Sequence, residues 1–154
     1  MARSNVRLDY GELEKLKKQL ERIADTDQFL ESCAKELAAR LLAKVIKRTP
    51  VGQYEKGSGK VGGTLRRGWT AGEQSNAKSY TNSLNVSKVG NDFVIEIINP
   101  VEYASYVEYG HRTRNHKGWV EGHFMLTISE NEIRNSAPKI LEKKLKEYLK
   151  GCLS

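Results

Sequence analysis

Pro50 limits what the first third of this chain can become. Before it, apolar residues recur with helical spacing; after it, five glycines within residues 51–63 leave no period at all. Leu13, Leu16, Leu20 and Ile23 fall at three- and four-residue steps among Glu and Lys, which predicts one amphipathic helix. Ala24-Asp25-Thr26-Asp27 breaks it, and an Asp or Thr there is expected to cap the next helix by accepting from its first free amides. The second stripe is Leu30, Cys33, Ala34, Leu37, Leu41 and Val45. It is expected to stop at Arg48-Thr49, because a proline disfavours helical geometry in the residue before it.

The segment 51–63 therefore predicts a flexible glycine-rich loop, a length that in a compact domain is often functional or ordered by a partner. Its Gly52 and Gly57 have the spacing that opens a phosphate-binding loop. Ser58 and Gly59 then stand where Lys and Ser/Thr are needed, and a helix precedes where a strand should, so that reading is rejected. Beyond the loop the chain reads as strands: Thr64 to Thr70, then Tyr80 to Val89, a turn at Gly90-Asn91-Asp92, and Phe93 to Ile98. The last of these is apolar on nearly both faces and is expected to be central or covered. Glu102 to Tyr109 predicts a short helix closed by Gly110. Residues 111–122 read as irregular. A final helical region runs from about His123 to Leu149, with a kink or a break into two helices at Pro138 and Ser136 as a candidate cap.

The order is an α+β one: N-terminal helices, a small antiparallel β-sheet with a hairpin, and a C-terminal helix. At 154 residues one domain is expected over 1–154, with residues 1–10 as an N-terminal arm. No signal peptide and no membrane span is expected, since no run approaches the ~18 apolar residues that a span needs. Cys33 lies on an apolar stripe and Cys152 near the end; two isolated cysteines make neither a disulfide framework nor a zinc spacing, which points to a reducing cytosol.

Formal net charge is +7. That suits phosphates or acidic surfaces, and it equally suits a solvated lysine-rich helix face. His111, His116 and His123 sit near Glu108 and Glu121, yet their spacing matches no compact metal signature, and exposed or interface histidines are the plainer reading. The run His111 to Lys117 could serve nucleic acid or a ribonuclease-like site, but nothing supplies a second catalytic element. Tyr103, Tyr106 and Tyr109 share a helix face, which fits either local core packing or a subunit interface.

Three short elements then resemble one family. Thr49-Pro50-Val51, followed after a variable loop by Gly63-Thr64-Leu65-Arg66-Arg67-Gly68-Trp69, resembles a "TPV…TG-x-L-R-x-S/G-W" element. Asn99 to Thr113, with Tyr103-Ala104-Ser105-Tyr106-Val107-Glu108-Tyr109-Gly110 at its centre, is similar to "Y-A-x-Y-V-E-Y/F-G-T". Gly122-His123-Phe124-Met125-Leu126 resembles "P-x-x-F-L/M" before a last helix. Together they resemble the phage head–tail joining family, the neck or tail-completion proteins of the lambdoid HK type that also occur in defective contractile prophages. The chain departs from that pattern at 52–63, which replaces a tighter turn, at His111 and at Gly122-His123.

The resemblance implies a non-catalytic virion subunit, without cofactor, metal, membrane or small-molecule substrate. It implies a ring, six-fold, at the head-proximal end of the tail, with DNA passing through it and adjacent tail or neck proteins as partners, assembled in the bacterial host cytoplasm. Expected interface residues are Tyr103, Tyr106, Glu108, Tyr109, Arg66, Arg67, Trp69 and Tyr54. Arg112, Arg114 and Lys60 are expected to meet DNA or an acidic partner. On this reading, replacing Arg66 and Arg67 by Glu blocks assembly without unfolding the monomer. Two other classes stay open: a basic nucleic-acid-binding module or small nuclease needing His111 or His116, and an assembly factor absent from the finished particle.

Overall fold

The computed structural model describes residues 10–72 and 76–153; the arm expected over 1–10 lies, Tyr10 apart, outside the described residues. The elements are α1 (Tyr10–Ala24), α2 (Thr26–Arg48), α3 (Thr64–Gly68), α4 (Ala77–Ser83), β1 (Ser87–Val89), β2 (Asp92–Val94), α5 (Ala104–Tyr109), β3 (Gly110–Arg112), β4 (Trp119–Glu121) and α6 (Met125–Leu153). The α+β order with helices at both ends is as the sequence predicts. Each pair of strands forms its own two-stranded antiparallel sheet.

The long helices α2 and α6 run antiparallel and make the frame. At one end Arg48, in the last turn of α2, donates to Ser129 Oγ at 3.0 Å and pairs with Glu132, which also takes Lys44 at 2.8 Å. At the other, Phe29 of α2 stacks on Tyr148 of α6 with centroids 4.3 Å apart, and the Tyr148 hydroxyl donates to the Arg22 carbonyl of α1 at 2.5 Å. Cys33 and Cys152 are both buried as free thiols, Cys33 on the stripe expected for it. Burial pushes the Cys33 thiol up from its ordinary value. The main cluster lies nearer the Arg48 end: Leu42, Val45, Leu65, Trp69 and Met125, with Ile97, Val101 and Val107 packed against it.

Several expectations are corrected. Thr64–Gly68 is helical, not a strand: Leu65 and Trp69 are four residues apart, so one helical turn puts both in the core. Residues 77–83 are also helical. Asn76 caps that helix by accepting from the Ser79 amide at 2.8 Å, a local signal that outweighs the apparent alternation. The hairpin survives only as Ser87–Val89 against Asp92–Val94, with Gly90 at φ +62° in the turn. Phe93, Ile95 and Ile97 do turn inward, but Val94 and Ile98 are exposed, so the segment is not covered on both faces. Residues 111–122, expected to be irregular, instead carry the second hairpin, which pairs Gly110 with Glu121 and Arg112 with Trp119 around a turn at 113–118.

Asp25 precedes α2 without a side-chain cap. The C-terminal helix does not divide: α6 carries Pro138 inside one continuous element, and Ser136 bonds back to the Glu132 carbonyl at 3.0 Å instead of capping anything. Gly110 closes α5 at φ +86°, as expected.

Candidate subunit interface

Thr49 explains why a threonine precedes Pro50. Its side chain is fully buried, and its hydroxyl donates to the Val45 carbonyl at 2.7 Å and accepts from the Trp69 indole N–H at 2.8 Å. Its carbonyl accepts from Arg66 Nη2 at 2.8 Å and Nε at 3.2 Å. One residue thus ends α2 and anchors α3, across the whole loop between them. Of the two residues expected at an interface, Trp69 is instead a core residue, and Arg66 is half-buried with its guanidinium on the Thr49 carbonyl.

The loop 51–63 folds back on itself. A Cβ at Gly62 would collide with the Gly52 backbone, so the two limbs touch there, and Arg67 Nη1 holds the Gly62 carbonyl at 3.2 Å. Tyr54 stands exposed on the first limb with Lys60 Nζ 5.8 Å from its ring centre.

Glu108 plays the matching role for the second half. It is buried, and its carboxylate accepts from the Leu126 amide at 2.9 Å, the Thr127 amide at 2.9 Å and the Thr127 hydroxyl at 2.6 Å. An acid at the first free amides of a helix satisfies its orphan donors and complements its dipole. Here that acid comes from α5, so Glu108 fixes the start of α6 against the α5–β3 junction instead of reaching a neighbour. A Cβ at Gly122 would run into the Glu108–Gly110 backbone, which accounts for a glycine just before the last helix.

What remains outside is the aromatic surface. Tyr103, Tyr106 and Tyr109 are 45%, 59% and 62% exposed, which excludes core packing as their role. Tyr106 lies against His111 with ring centres 5.6 Å apart, and Tyr109 meets Phe124 edge-on at 6.4 Å. Between the loop, α5 and the second hairpin runs a groove of about 350 Å³. Val51, Tyr54, Val61, Tyr103, Tyr106, His111, Val120, Glu121 and His123 are among its lining residues. Trp119 and Phe124 add further exposed apolar area near it. The tyrosines are visible in the sequence from their three-residue step, whereas Val51, Val61, Trp119, Val120 and Phe124 carry one signal only, large apolar side chains inside polar, glycine-broken stretches.

The basic candidates do not gather at one place. Arg67 is spent on the loop base, while Arg112 and Arg114 are exposed around the Thr113–Gly118 turn. That turn is held by the Asn115 carboxamide oxygen, which accepts from the Thr113 hydroxyl and the Lys117 amide. His111 and His123 line the groove, whereas His116 sits in the turn at φ +57°. Among the described residues, no three His, Cys, Asp or Glu side chains are placed to hold a metal ion. No described helix is long and apolar enough to cross a membrane.

A family profile described as "Bacteriophage HK97-gp10, putative tail-component" matches residues 14–110, from α1 through Gly110. No curated protein and no solved structure matches the chain. The matched span takes in the Thr49–Trp69 anchor, the loop and the tyrosine helix, well over half of the sequence, and the chain belongs to the HK97-gp10-like family of bacteriophage tail components.

Proposed function

We propose that this tail component is a non-catalytic neck or tail-completion subunit that assembles into a closed ring, six-fold, at the head-proximal end of the tail. The observation that carries the reading is the exposed aromatic surface around the groove. Three tyrosines, Trp119 and Phe124 stand in solvent on a frame whose own polar groups, Thr49 and Glu108, are satisfied internally. Large rings with a polar tip, held on short rigid elements, are the composition of a protein–protein contact. A net charge of +7 favours a wall past which DNA moves, because phosphate attraction of this kind is independent of sequence. The subunit is assembled in the host cytoplasm and stays in the virion, beside other tail or neck proteins.

Peptide mass spectrometry of purified particles, with copy number set against the tail-tube protein, tests the placement. A small fixed copy number consistent with one ring supports it. Absence from finished particles identifies an assembly factor instead. A nuclease activity of the pure chain that His116→Ala abolishes identifies an enzyme.

A further inference from the structure

The groove and the far end of α6 are chemically matched and cannot meet within one chain. Tyr54, Tyr103, Tyr106 and Val120 line the groove, and among its described lining residues Glu121 is the one formal charge. At the opposite end of the frame α6 exposes Leu145, Leu149 and Leu153 at four-residue steps, beside Lys150 and beside Lys146, which is paired with Glu142 at 3.0 Å. That stripe is apolar and helical and carries the Lys150 ammonium at its edge; the groove is aromatic and carries the Glu121 carboxylate. Apolar helix faces dock in such grooves, and ammonium groups are attracted to tyrosine faces. Glu108 fixes the groove beside the first turn of α6, and α6 is 29 residues long, so roughly 43 Å separates its two ends.

From this we infer that the C-terminal stripe of α6 in one copy docks in the Tyr106 groove of the next, so that the ring contact is head-to-tail. The inference rests on the reading of the chain as a self-assembling subunit. A contact between two different patches closes into a ring when its rotation allows, whereas a patch that pairs with itself gives a dimer.

Complementation between two full-length variants separates the cases. Tyr106→Asp breaks the groove alone, and Leu149→Asp with Leu153→Asp breaks the stripe alone. The far-ultraviolet circular dichroism and melting temperature of each variant are compared with the parent to establish that it folds. Should the stripe pair melt early, Lys150→Glu replaces it, since that side chain is exposed. By sedimentation velocity the parent chain forms oligomers, each variant alone is monomeric, and an equimolar mixture gives heterodimers and nothing larger. In the mixture one intact groove meets one intact stripe, with an affinity at least ten-fold above any self-association of either variant. Dimers of either variant alone, or a mixture that stays monomeric, overturn the proposal. So does a parent chain that is monomeric at all concentrations, and that outcome leaves the tail placement to the particle measurement above.

Discussion

Thr127 donates twice to the Glu108 carboxylate, from its amide at 2.9 Å and its hydroxyl at 2.6 Å, and the Leu126 amide completes the set at 2.9 Å. This acid, 19 residues upstream of Thr127 in the chain, is the cap of the longest helix. Hydrogen bonds to a buried charged group are worth about 1.5–3 kcal/mol, more than a neutral pair. Glu108→Ala is therefore expected to cost about 3 kcal/mol in urea unfolding, and Thr127→Val about 1 kcal/mol. Loss of stability below 0.5 kcal/mol in Glu108→Ala would show that the cap is dispensable.

The Thr49–Trp69 hydrogen bond joins the end of α2 to α3 in a fully buried setting. Trp69→Phe keeps a ring in the core and leaves Thr49 its bond to Val45, so about 1–2 kcal/mol is expected. Thr49→Val strands the indole N–H, and the double variant should cost less than the sum of the two. A double-mutant cycle reads the coupling directly; a coupling near zero contradicts the anchor.

Arg66 and Arg67 are neighbours with different duties. Arg66 holds the Thr49 carbonyl, whereas exposed Arg67 reaches the Gly62 carbonyl at the loop base. The Arg66 contact to the Thr49 carbonyl means that reversing both charges is expected to act on the monomer as well as on assembly. Arg66→Glu should lower stability by about 2 kcal/mol, the scale of a charge-assisted bond, while Arg67→Glu should fold normally and loosen the loop. Thermal melts and limited proteolysis at 51–63 distinguish them.

Glu132 gives a pH signature. Hydrogen bonds from Arg48 first, and then from Lys44, hold its carboxyl down from the ordinary 4.5 to about 2. A depressed carboxylate contributes stability that is fully present above 4.5 and is lost as pH falls toward 2. The melting temperature should drop across that window, and Glu132→Gln should flatten the drop attributable to this site. The pair is partly solvent-exposed, so added salt should weaken the difference. An identical profile in Glu132→Gln would exclude the contribution.

Both cysteines are buried, and burial raises the Cys33 thiol, which lowers its thiolate fraction at neutral pH. Alkylation by a maleimide should be slow in the folded protein and complete in denaturant for both residues. Rapid labelling of Cys33 without denaturant would mean that the α2 stripe opens.

The long helices were legible because their apolar periods run over many turns and Pro50 punctuates the first pair. The short helices were not. Five residues at Thr64–Gly68 and seven at Ala77–Ser83 hold too few turns for a period, and one capping bond at Asn76 decides the second. The β3–β4 hairpin was hidden because its strands are three residues each and fully or largely exposed along β4. At the site the tyrosines were visible from their three-residue step, but whether they faced inward or outward is a tertiary property. Glu108 and Trp69 belong to recognisable motifs, and no spacing in one chain reveals that Trp69 finds Thr49 or that Glu108 finds the start of α6.

Electron cryo-microscopy of purified particles tests the central claim most directly. The expected result is this chain as a closed ring at the head-proximal end of the tail, with Tyr103, Tyr106 and Trp119 buried against protein. Particles whose neck lacks the chain, or a ring in which those three side chains face solvent, would contradict it.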